Sequence, residues 1–181
     1  MGYTTEFEGS VTVAPPLNPT EIAYLTKFAE TRRMHRSNGP YFVDGGGFMG
    51  QGHDPDIYDF NATAEGQPGL WCQWVPTEDG GSIEWDGGEK FNHSAEWMRY
   101  LIDHFLKPGA AAEGHPGFEE FTFDHVANGT IHAEGEDRDD VWDLVVTDNV
   151  VTRDDVRRPC LRRTSSPATP IKFRPAPDGA R

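Results

Sequence analysis

The chain has 181 residues, 36% of them hydrophobic, a net charge of −14 at neutral pH and two cysteines. That length suits one domain with a core of its own. No run approaches the roughly 18 apolar residues of a membrane span, and an acidic body repels nucleic acid.

No basic-then-apolar leader opens the chain, and no CxxC or Cys/His zinc spacing occurs. A reduced cytosolic protein is expected, with no membrane partner. The charge is uneven. Through Thr152 there are 27 acidic and 8 basic residues, and from Arg153 onward 3 and 8.

Thr4 to Val13 alternates loosely through Phe7, Val11 and Val13 and predicts a strand, with Gly9 as a candidate bulge. Asn18-Pro19-Thr20-Glu21 is a helix start: a cap residue, proline at the first helical position and a carboxylate at the third. Ile22, Leu25, Phe28 and Ala29 form its buried stripe, with Tyr24 at the edge. Arg32, Arg33, His35 and Arg36 fall where a last turn favours cations. Residues 39 to 69 then read as a long glycine- and aromatic-rich loop, a candidate lid over a pocket. Asp54, Asp56 and Asp59 lack the spacing of a calcium loop, and no metal is expected there.

Leu70 to Val75 is aromatic and apolar, and Pro76 closes it. Glu78-Asp79-Gly80-Gly81 is turn chemistry. Ser82 to Asp86 returns at period two, with Ile83 and Trp85 on one face and Glu84 and Asp86 on the other. Ser94 is the expected cap of a second helix. Met98, Leu101, Ile102 and Phe105 give it one apolar stripe, and Lys107-Pro108 ends it.

After a flexible link, Phe121 to Ala127 meets Asn128-Gly129, the strongest two-residue hairpin signal. Thr130 to Glu134 would return. That register sets His125 opposite His132, a pair able to bind metal or sense pH, although no third ligand is evident and no metal is expected. An acidic turn leads to a strand over Val141 to Val146, a turn at Asp148-Asn149 and a short strand from Val150. The segment from Arg153 to Arg181 is basic, carries five prolines and is expected to be a disordered or loosely docked tail.

Three stretches, MGYTTEFEG, GLWCQW…IEWDGGEKF and GTIHAEGEDRDDVWDLVVTDNVV, resemble a family of small acidic proteins of actinobacteria and their phages. The resemblance spans about residues 1 to 152. It implies one α+β domain of that length, in a bacterial or phage-infected cytoplasm. No activity is assigned to that family, so the resemblance carries no catalytic residue.

Motifs for acyl transfer, nucleotide phosphates, zinc proteolysis and dinucleotides are absent, so no cofactor is expected. The combination that stands out is Arg32 and Arg33 beside the tryptophans. Guanidiniums hold phosphate or carboxylate, and an indole face stacks a base. The expected ligand set is Arg32, Arg33, Trp71, Trp74, Trp85, Asp86, Glu89 and Lys90. A catalytic alternative uses Glu84, Asp86 and Glu89. The first two lie about 7 Å apart on one strand face, a separation suited to two-carboxylate hydrolysis.

The element order β-α-loop-β-β-α-β-β-β predicts a single α+β domain over residues 1–152. Its sheet is mostly antiparallel with two amphipathic helices on one face, a ferredoxin-like order with extra C-terminal strands. Three functions stand at this point. The first is a non-catalytic binding protein of phage-accessory or counter-defence type, engaging a nucleotide-like, phosphate-bearing small molecule or a host protein. The second is a small hydrolase or transferase. The third is an acidic nucleic-acid mimic. The sequence leaves the oligomeric state open.

Overall fold

A computed structural model describes residues 3–44 and 54–156. Strand β1 (Thr5–Ala14) runs through the middle of a six-stranded antiparallel sheet. The chain continues through α1 (Pro19–Glu30), β2 (Met34–Arg36), β3 (Ile57–Thr63), β4 (Trp74–Pro76), β5 (Ser82–Trp85), α2 (Ser94–Leu101), β6 (Val126–Gly135), β7 (Val141–Thr147) and β8 (Val150–Asp155). The sheet order is β4-β5-β1-β6-β7-β8, and every pairing in it is antiparallel. Strands β1, β4, β5 and β6 with the two helices make the split β-α-β-β-α-β arrangement; β7 and β8 extend its β6 edge. The expected α+β domain is therefore the observed one.

The capping box at α1 forms as its sequence dictates. Asn18 Oδ1 accepts from the Thr20 and Glu21 amides, and Glu21 Oε2 accepts from the Asn18 amide at 2.7 Å. Leu25, Phe28 and Ala29 are buried. Met98, Leu101, Ile102 and Phe105 are all 2% exposed or less, so the apolar stripe of α2 faces the core as its period requires. The helix ends in a wider π-type turn, Ile102–Leu106.

Several details depart from the sequence reading. The first helix stops at Glu30, so Arg32 and Arg33 lie beyond it and His35 and Arg36 sit in β2; Lys27 is the cation of its last turn. Gly9 does not bulge, because β1 and β6 pair in unbroken register from Thr5↔Gly135 to Ala14↔Val126. Ser94 is the first residue of α2, not its cap; His93 holds that place in a left-handed conformation with no side-chain cap bond. Leu70 to Gln73 lie outside β4. Finally, Asn128-Gly129 is not a turn.

Strand β6 runs straight through that dipeptide because β1 pairs on one edge and β7 on the other. A Cβ at Gly129 would stand 2.5 Å from Ser10 O, so glycine serves there to let β1 come close. The reversal falls at Asp148-Asn149, both at positive φ, joining β7 to β8. His125 and His132 consequently lie along one chain direction and do not face each other. His132 Nδ1 instead meets Asp143 Oδ1 on β7 at 2.7 Å.

Within the stretch expected as loop, β3 pairs with β2 to form a separate two-stranded ribbon. Asp56 binds Arg36, and Asp59 Oδ1 accepts from the Asn61 and Ala62 amides, so these carboxylates are used locally. Gly45 to His53, including the triple glycine, lie outside the described residues. So do Arg157 to Arg181. Strand β8 continues to Asp155, past the boundary expected at Thr152. No helix of the described residues is long and apolar enough to cross a membrane.

Candidate functional site

The hairpin β4–β5 and the loop after it build the site, and aromatic packing fixes the hairpin. Phe7 on β1 sits at its hub, with ring centroids 5.4 Å from Trp74, 5.5 Å from Trp85, 5.7 Å from Phe91 and 5.9 Å from Trp142. All four contacts are edge-to-face, the arrangement aromatic quadrupoles favour. Trp74 is 1% exposed and its indole donates to Ser94 O at 2.7 Å. It is core, not a ligand platform. The Trp85 indole donates to Gln73 Oε1, and Gln73 Nε2 donates to Glu89 O. Asp86 Oδ1 accepts from the Gly88 amide at 2.7 Å. These bonds hold residues 86–89 as a defined ledge beside Trp71.

The two arginines do not open onto it. Arg33 is 3% exposed. It donates to Thr31 O and Phe42 O, the latter at 2.6 Å, and its guanidinium lies 4.3 Å from the Phe28 ring centroid. Burial pushes its pKa down to about 10, still charged at neutral pH. Arg32 donates to Phe60 O and lies 6.0 Å from the Trp71 ring centroid. The space around this pair holds no water-sized cavity. Both guanidiniums are thus engaged by backbone carbonyls, Arg33 by those of Thr31 and Phe42 and Arg32 by that of Phe60 on β3.

Two open clefts flank the ridge formed by Trp71, Gln73 and Glu89. The larger, about 830 Å³, runs between that ridge and the end of α1. Glu30, Asp44, Asp86 and Glu89 line it, with Lys27 the one lining cation among the described residues, and Lys27 pairs with Asp44 at 3.3 Å. Glu30, Asp86 and Glu89 form no ion pair with a described cation. Partial burial against the wall pushes the Asp86 carboxyl above its ordinary range, while the Gly88 amide pulls it back. The cleft is therefore acidic, with one half-buried indole in its wall. Its chemistry suits a cation and repels phosphate.

The second cleft, about 660 Å³, lies between the ridge and the start of α2. Lys90, Asn92, His93, Asn61 and Thr63 line it with Gly69. Lys90 and His93 both hold positive φ, conformations that a non-glycine residue adopts only when its surroundings impose them. Of the expected ligand set, Trp71, Asp86, Glu89 and Lys90 thus converge on adjoining clefts. Arg32, Arg33, Trp74 and Trp85 do not. Glu84 lies on the exposed side of β5 and lines neither cleft, so Glu84, Asp86 and Glu89 share no reaction centre.

A third, shallower groove of about 490 Å³ runs along α2 past Tyr100 and His104. Their rings stack at 3.8 Å, and Tyr41 Oη lies 2.7 Å from His104 Nδ1. Burial lowers the His104 pKa and favours its neutral form. The sequence reading passed over this cluster, although the four-residue spacing of Tyr100 and His104 on a helix is its visible signal. Lys27, Glu30 and Gln73 gave no comparable signal, since they meet the ledge only through tertiary packing. Among the described residues, no group of three or more His, Cys, Asp or Glu is arranged to hold a metal. No family model, curated protein or solved structure matches the chain.

Proposed function

We propose that the chain is a non-catalytic binding protein that engages a partner protein through the acidic cleft beside Trp71. A lysine or arginine side chain of the partner enters among Asp86, Glu89 and Glu30, with its aliphatic stem along the indole. The observation that carries this reading is that these three carboxylates line one cleft without a described cationic partner. Among the described residues, unpaired like charges gathered around an open concavity favour an incoming cation. The resemblance to actinobacterial and actinophage proteins supports an accessory or counter-defence role in a phage-infected cell.

The test is calorimetric titration with a short lysine- and arginine-bearing peptide. Replacing Asp86→Asn and Glu89→Gln together should weaken binding by roughly tenfold or more. The same charge change at Asp154→Asn and Asp155→Asn, on the far edge of the sheet, should leave it nearly unchanged. Equal losses in both double variants would mean that net charge alone, not the cleft, attracts the peptide. A small phosphate-bearing ligand is a second reading, favoured by Lys90 and the uncapped start of α2 in the other cleft. The nucleic-acid mimic has weaker support. On the exposed sheet face the acidic row of Glu8, Asp143 and Asp154 is interrupted by His132, which is bonded to Asp143.

A further inference from the structure

We infer that the cleft at the start of α2 is a binding site for a compact oxyanion, a carboxylate or a phosphate, whose oxygen accepts from the indole N–H of Trp97. Trp97 is 0% exposed, and its Nε1 has no hydrogen-bond partner among the described residues. Buried donors are almost always paired, so an orphan one calls for an acceptor. Gly69 supplies the opening. A Cβ placed there would stand 3.4 Å from Trp97 Nε1 and 3.8 Å from His93 Cδ2, and both Gly69 and His93 line the cleft. The orphan donor thus lies directly behind Gly69, with no side chain between it and that stretch of the cleft wall.

The start of α2 adds to this independently. The helix has eight residues, and His93 at its cap makes no side-chain cap bond. Its first-turn amides point toward the same end as the positive pole of the helix dipole. Lys90 contributes a cation on the cleft wall. Glu89 also lines the cleft, and Glu96 lies in the first turn of α2; both select against a bulky polyanion. This site lies across the Trp71 ridge from the acidic cleft and stands whether or not that cleft binds a cation.

The experiment is ¹H–¹⁵N NMR of the full chain, with the Trp97 indole resonance assigned through Trp97→Phe. Sodium acetate and sodium phosphate are titrated separately at constant ionic strength, against sodium chloride. The expected result is a saturable downfield shift of the Trp97 indole N–H with acetate, phosphate or both. The salt that saturates at lower concentration identifies the preferred oxyanion. Gly69→Ala should abolish the shift while resonance dispersion is kept, and Lys90→Met should weaken binding roughly three- to tenfold. If Gly69→Ala loses dispersion, Lys90→Met carries the test. A Trp97 indole that neither salt moves saturably overturns the inference. So does a shift that Lys90→Met leaves unchanged.

Discussion

His125 Nε2 lies 3.2 Å from Glu21 Oε1, and both side chains are 1% exposed. The pair ties the first turn of α1 to the segment entering β6. The other ring nitrogen, Nδ1, lies 2.7 Å from Pro15 O, which can only accept. With an acceptor facing each nitrogen, the surroundings favour the doubly protonated ring. Glu21 Oε1 also accepts from the Thr122 amide at 2.8 Å, so the carboxylate is saturated with donors. A buried ion pair of this kind holds its geometry well, and removing one partner strands the other.

Stability should therefore depend on pH at both ends. Burial alone would lower the His125 pKa, but Glu21 and the Pro15 carbonyl outweigh it and hold it above its ordinary value. Its contribution is complete below the unfolded value of about 6.5 and is lost as pH rises through the folded one. Burial alone would raise the Glu21 pKa, but His125 and the Thr122 and Asn18 amides outweigh it and hold it low. Its contribution is present above the unfolded value of about 4.3 and fades as pH falls through the folded one. Urea midpoints measured from pH 4 to 9 should decline on the alkaline side. His125→Gln should remove that decline and cost about 3 kcal/mol near pH 6. An unchanged alkaline limb in the variant would show that other groups set it.

The turn between β7 and β8 supplies a second prediction. Asn149 holds φ +69, its Oδ1 accepts from the Ala127 amide at 2.7 Å, and its Nδ2 donates to His125 O at 3.0 Å. One side chain thus sets the turn and fastens it to the start of β6. Asn149→Gly keeps the backbone conformation and loses both bonds; Asn149→Ala loses both and adds strain. Thermal denaturation should place glycine about 1 kcal/mol and alanine about 2 kcal/mol below the native protein. Equal stability of the two variants would mean that the side-chain bonds, not the positive φ, dominate.

The contrast between Asn128-Gly129 and Asp148-Asn149 shows what the sequence could reveal. Patterns that depend on neighbours along the chain were legible: the Asn18 capping box, the α2 stripe and the period-two return through Ile83 and Trp85. A dipeptide that fits two structures was not. Asn-Gly suits a tight turn, and glycine equally suits a strand that must let another approach closely; only the β1 partner decides between them. The site divides the same way. Asp86, Glu89 and Lys90 are adjacent in sequence to the hairpin and were legible as a group. Arg33 looked like a ligand clamp because its carbonyl partner at Phe42 is nine residues away across a loop with no periodic pattern.

Arg33 gives the last prediction. Its guanidinium is buried with backbone carbonyls as acceptors and an aromatic face beneath it, and it holds Phe42 next to Val43 and Asp44 on the wall of the acidic cleft. Arg33→Met keeps volume and removes the charge and the donors, leaving the Thr31 and Phe42 carbonyls unpaired. Chemical denaturation should show a loss of about 3 kcal/mol. Arg33→Lys should recover little of it, because one ammonium on a flexible stem cannot match a planar fork that spans separate carbonyls while stacking on Phe28. Hydrogen exchange of the Val43 and Asp44 amides should quicken in both variants before global unfolding, since the clamp fastens that wall to the core. If Arg33→Lys proved as stable as the native protein with unchanged exchange, a positive charge alone would suffice there, and the fork geometry would have no structural part in shaping the cleft.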